Sequence, residues 1–153
     1  MNIIEKLSKY IVSLGKVGFI KPASGTWGTL ASMPVAFLIA YIYSPSSLII
    51  ASFITLIVGW YFTNIYEKTN NKHDANEVVI DEMAGLFITL SFIPVNVWYY
   101  IAGFLIFRFF DIFKPYPINL IDEQKTAFSV MFDDIIAGLY AGITLWIILW
   151  IFH

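Results

Sequence analysis

Carboxylates arrive in adjacent pairs in this chain. Asp81-Glu82 lies within Val79-Ile80-Asp81-Glu82-Met83-Ala84-Gly85, and Asp133-Asp134 within Phe132-Asp133-Asp134-Ile135-Ile136-Ala137-Gly138. Each pair opens an apolar stretch and is soon followed by Ala-Gly. A third cluster, Arg108-Phe109-Phe110-Asp111-Ile112-Phe113-Lys114-Pro115-Tyr116-Pro117, spaces Arg108, Asp111 and Lys114 three apart. That spacing puts them on one face of a helix, which the prolines end. A fourth, Lys21-Pro22-Ala23-Ser24-Gly25-Thr26-Trp27-Gly28-Thr29, gathers glycines and hydroxyls just before an apolar run. Such a turn suits an anion at a helix N-terminus, or an ordinary N-cap at Ser24 or Thr26.

Side-by-side carboxylates repel and call for a cation. Asp81, Glu82, Asp111, Asp133 and Asp134 supply hard oxygen donors. Cysteine is absent, and the two histidines are His73, in a loop, and His153. This donor set suits magnesium rather than zinc. Ala84-Gly85 and Ala137-Gly138 offer small faces on which two helices can close, bringing the pairs together. Arg108 is the sole arginine; its guanidinium fork matches phosphate, or it forms a structural ion pair with Asp111. Other phosphatase and nucleotide chemistries lack their residues. There is no cysteine nucleophile, no usable histidine pair or triad, no Asp-x-Asp-x-Thr/Val and no Gly-x-x-x-x-Gly-Lys-Ser/Thr loop.

The elements that must position these groups are greasy. The 153 residues are 59% hydrophobic and 13% charged, with a net charge of −2 and a mean hydropathy of +0.75. This excludes a soluble monomer, a disordered chain and a nucleic-acid binder, and it predicts an all-α membrane bundle in one domain, 1–153. Residues 22–66, 83–107 and 135–153 carry no charge. About 20 apolar residues cross a bilayer. The pattern predicts five spans, near 28–43, 47–65, 77–93, 97–113 and 130–152, with Asn76 and Asn96 as helix caps. With five spans all nine Lys and Arg fall at one end of the bundle, the arrangement the positive-inside bias favours, with the N-terminus inside. Residues 3–14 alternate Ile3, Ile4, Leu7, Ile11 and Leu14 with polar residues at helical spacing. They predict an amphipathic helix, within segment 1–16, that lies in the interface or docks on the bundle. The N-terminus lacks the pattern of a cleaved signal peptide.

In order and spacing the four clusters resemble the signature blocks of bacterial phosphatidylglycerophosphatase A, over residues 18–145. The resemblance implies a magnesium-dependent phosphatase of the inner membrane, its site facing the cytoplasm, that converts phosphatidylglycerophosphate to phosphatidylglycerol. It carries polar roles onto Lys21, Ser24, Gly25, Thr26, Gly28, Thr29, Asp81, Glu82, Arg108, Asp111, Lys114, Asp133 and Asp134. Family members often have Asp-Pro where this chain has Asp74-Ala75. The expected chemistry has magnesium on Asp81, Glu82, Asp133 and Asp134, a base such as Asp111, and Arg108, Lys114 and the glycine-rich turn against developing charge. The rival class is a small cation or proton transporter, which should bury charge at the bilayer midplane and show repeats. Direct water attack and a phospho-aspartate intermediate both remain open at this point, as does the oligomeric state.

Overall fold

Glycine on glycine sets the centre of the fold. In the computed structural model, which describes residues 2–152, seven α-helices and one 3-10 turn follow one another without a strand among the described residues. They are α1 (Ile3–Val12), the turn Val17–Phe19, α2 (Ser24–Ile42), α3 (Ser47–Asn70), α4 (Ile80–Ser91), α5 (Val97–Phe113), α6 (Ile118–Asp122) and α7 (Ala127–Phe152). Helix α4 is the axis and packs against α2, α3, α5 and α7. A side chain at Gly138 would run into the Gly85 backbone, and one at Gly85 into the Asp134 carbonyl and the Phe107 ring. The absence of both lets α4 and α7 approach closely, and Thr89 Oγ1 lies 3.2 Å from the carbonyl oxygens of both Gly85 and Gly138. The Ser52 hydroxyl donates to the Ala84 carbonyl at 2.8 Å, joining α3 to the same seam.

Three helices, α2, α3 and α7, are long and apolar enough to cross a membrane. Their outward faces carry Leu38, Ile50, Ile54, Ile57, Trp146 and Ile147, all exposed, as lipid contact requires. Helix α5, at 17 residues, is about 26 Å long, and α4, at 12, about 18 Å. The expected span 77–93 is therefore shortened at both ends. Residues 76–79 are drawn out of the helix by tertiary bonds: the Val79 N–H donates to the Val12 carbonyl at 2.8 Å, and the Asn76 carbonyl accepts the Ser24 hydroxyl. Asn76 thus caps nothing, and α4 starts at Ile80. From Ile80 to Leu90 every residue but Met83 is buried. A helix wrapped by protein need not match the bilayer thickness. Asn96 does cap α5, accepting from the N–H groups of Trp98 and Tyr99.

Three other boundaries move outward. Helix α2 begins at Ser24, not 28, behind Ala23 in a left-handed conformation, with no side-chain cap at Ser24 or Thr26. Helix α3 runs on to Asn70 and α7 begins at Ala127. Helix α1 rests on α3: Val12 is buried with Tyr66, Ala75 and Val78, while Ile3, Ile4 and Leu7 stay exposed. It both docks and keeps an apolar face outward. His153 lies outside the described residues.

Candidate active site

Helices α2, α4 and α7 start at one end of the bundle, and α5 finishes there. Between them lies a cavity of about 280 Å³ lined by all five predicted carboxylates together with Ser24, Gly25, Asp74, Asn76, Arg108, Lys114 and Asp122. The first turn of α4 delivers Asp81 and Glu82, and the second turn of α7 delivers Asp133 and Asp134. All four are buried, as is Asp111.

Adjacent residues on a helix point about 100° apart, and the Asp133-Asp134 pair divides accordingly. Asp134 joins Asp81 and Glu82, one oxygen from each lying within 4.8 Å of the others. Asp133 turns to Lys114, whose ammonium also reaches Asp122 at 2.9 Å. The expected set of four is thus a trio plus an ion pair. Lys114 leaves the face it was expected to share with Arg108 and Asp111, because it ends α5 in a left-handed conformation just before Pro115. Burial pushes its ammonium pKa down, but Asp133 and Asp134 outweigh this and hold it above the usual lysine range.

Arg108 stays with Asp111 and lies 3.7 Å from Glu82. Two buried atoms here lack hydrogen-bond partners, Glu82 Oε2 and Arg108 Nε. A carboxylate oxygen and a guanidinium N–H left bare in a closed site are capacity for a cation and for an anion. The buried trio, oxygen-only and with an unused acceptor, fits a hard metal ion. Gly25 abuts the cluster: a side chain there would meet Glu82 Oε1 and come within 3.1 Å of both terminal nitrogens of Arg108, so these two side chains would have to shift. Three residues lining the cavity, Ala23, Asp74 and Lys114, hold positive φ without being glycine.

The rest of the glycine-rich block lies apart from this cavity. Thr29 is fully buried and donates to the Gly25 carbonyl at 2.8 Å, and Gly28 abuts Val79. Thr26 does not line the cavity, and Lys21 lines a neighbouring one. Two acidic residues of the cavity are additions. Asp74 was visible only as the counterpart of the family's Asp-Pro. Asp122 sits on α6, a helix of 5 residues, too short to leave a readable period.

Carboxylates able to hold a metal, two cations among them, and a lipid-facing helical bundle define a class, enzymes that work on phosphate esters at a membrane. Comparison with known proteins gives the family. A family model described as phosphatidylglycerophosphatase A matches residues 10–149. The phosphatidylglycerophosphatase A of Haemophilus influenzae is 37% identical over 150 residues, covering 97% of this chain and 91% of that protein. The Escherichia coli protein of the same name is 35% identical over 121 residues, 77% of this chain and 69% of its own. The chain belongs to the phosphatidylglycerophosphatase A family and is a phosphatase, a hydrolase of phosphoric monoesters. No solved structure matches it.

Proposed function

We propose that this chain removes the terminal phosphate of phosphatidylglycerophosphate to give phosphatidylglycerol, with magnesium as cofactor, at the cytoplasmic face of a bacterial inner membrane. The observation that carries this reading is the buried Asp81–Glu82–Asp134 trio beside Arg108. Asp81, Glu82 and Asp134 would hold the ion, which when bound would supply positive charge toward the phosphate. Arg108 takes the phosphate with donors left over from Asp111, and Lys114 adds a second cation. Asp111 and Asp133 serve as positioning partners of those two cations. Asp81 and Asp134 both lack a cation partner among the described residues, so the proton of the attacking water goes to a carboxylate of this trio. A transport reading finds no charge along the rest of α7, since residues 135–152 carry none.

The test is phosphate release from phosphatidylglycerophosphate by purified protein in detergent. Chelation should stop it and magnesium restore it. Asp134→Asn should lower turnover by about a hundredfold or more. It should also lose most of the magnesium-induced rise in melting temperature, while melting no lower than wild type in the absence of metal, since like-charge repulsion is relieved. Full activity and an unchanged magnesium shift in this variant would place the ion elsewhere.

A further inference from the structure

A second, larger cavity opens beside the first, about 690 Å³, lined by Gly18, Phe19, Lys21, Pro22, Ala23, Ser24, Lys72, Asn76 and Glu77. Ala23, Ser24 and Asn76 belong to both cavities, so a single layer of residues joins them. The first is dominated by carboxylates and is suited to a phosphomonoester only through its metal and its two cations. The second has a different balance. Glu77 is already engaged, accepting the Tyr66 hydroxyl at 2.8 Å and lying 3.6 Å from the Lys72 ammonium. Burial raises the Glu77 carboxyl pKa, but the Tyr66 hydrogen bond and Lys72 outweigh it, so this group stays ionised and keeps its partners. Lys21 forms no ion pair among the described residues, which leaves the cavity one positive charge in excess. Beside Lys21, Phe19 and Ile20 are exposed and apolar, as residues at a lipid boundary are.

We infer that this second cavity takes the phosphodiester of the lipid whose phosphomonoester occupies the first, with Lys21 as its main contact and Lys72 as a lesser one. The inference rests on the reading proposed above. A lipid with two phosphates joined through glycerol presents two anions a short linker apart, and the shared wall at Ser24 and Asn76 sets two anion-accepting spaces side by side. Exposed Phe19 and Ile20 leave the diacylglycerol on the bilayer side. Lys21 then determines specificity: it recognises substrates that carry a diester behind the reacting group, without touching that group.

Two inhibitors separate the cavities. Phosphatidylglycerol in mixed micelles carries the diester and lacks the phosphomonoester, whereas inorganic phosphate fills only the first cavity. In Lys21→Gln the inhibition constant for phosphatidylglycerol should rise about tenfold, the loss of one charge-assisted contact, while that for inorganic phosphate stays within about twofold. Lys21→Arg should restore most of the difference, and Lys72→Gln should show a smaller shift of the same kind. Equal shifts for both inhibitors, or none for phosphatidylglycerol, would overturn the assignment. Any lipid phosphomonoester that the protein hydrolyses can report these constants. A failure to hydrolyse phosphatidylglycerophosphate would thus count against the proposed substrate and not against the second cavity.

Discussion

At the scale of single residues the site turns on how cations are shared among too many carboxylates. Arg108 bridges Asp111 and the Asp81–Glu82–Asp134 trio through Glu82, and its planar fork does this while keeping a donor free. A lysine keeps the charge and loses the geometry. Arg108→Lys should therefore reduce kcat/KM about tenfold to a hundredfold, roughly 1–3 kcal/mol of transition-state stabilisation. Steady-state kinetics on the lipid substrate checks this, and wild-type kinetics in Arg108→Ala would reduce the residue to a structural charge. The residue types were legible in the sequence, because charges are rare in so apolar a chain and each cluster stands out. Their pairing was not. Which of Asp133 and Asp134 meets Lys114 depends on the rotation of α7 about its own axis, and residue spacing within one helix says nothing of that. The departure of Lys114 from the Arg108 face follows from one left-handed residue before a proline.

At the scale of elements, the contact between α4 and α7 is the device that brings Asp134 to Asp81 and Glu82. Gly138→Ala would set a methyl group against the Gly85 backbone, which cannot give way as a flexible side chain can. We expect the helices to separate slightly, with a loss of about 1–3 kcal/mol of stability and at least a tenfold fall in turnover. Thermal unfolding in detergent and activity, measured together, test it; a variant equal to wild type in both would show that the helix spacing is not limiting. The Ala-Gly steps made this seam legible in advance, and the cap of α5 at Asn96 was legible too. The beginning of α4 was hidden, because residues 76–79 are held by Val12 and Ser24, both distant in sequence, and by Tyr66 and Lys72 at the end of α3 and just after it. Local pattern predicted one more turn of helix, and long-range bonds removed it.

At the scale of the whole molecule, the helices alternate in direction. Helices α2, α4 and α7 leave the end that holds the cavity, and α3 and α5 return to it. With the site facing the cytoplasm, the end of α7 falls on the opposite side. A reporter fused to the C-terminus should behave as periplasmic, and cytoplasmic activity from that fusion would reject the proposed orientation. That alternation was legible from the charge-free stretches. The inequality of the five helices was not, because hydropathy registers greasiness and cannot tell lipid from protein as its cause. Helix α4 is apolar because α2, α3, α5 and α7 surround it.

The turns at the end away from the cavity, residues 43–46 and 92–96, contain neither lysine nor arginine, and neither does 135–153. Every bond that trypsin can cut therefore belongs to the half of the molecule that holds the carboxylate-lined cavity. In sealed vesicles one orientation of the membrane should be nicked and the other spared whole. The same enzyme would thus look fragile or resistant depending only on which way round its bilayer was closed.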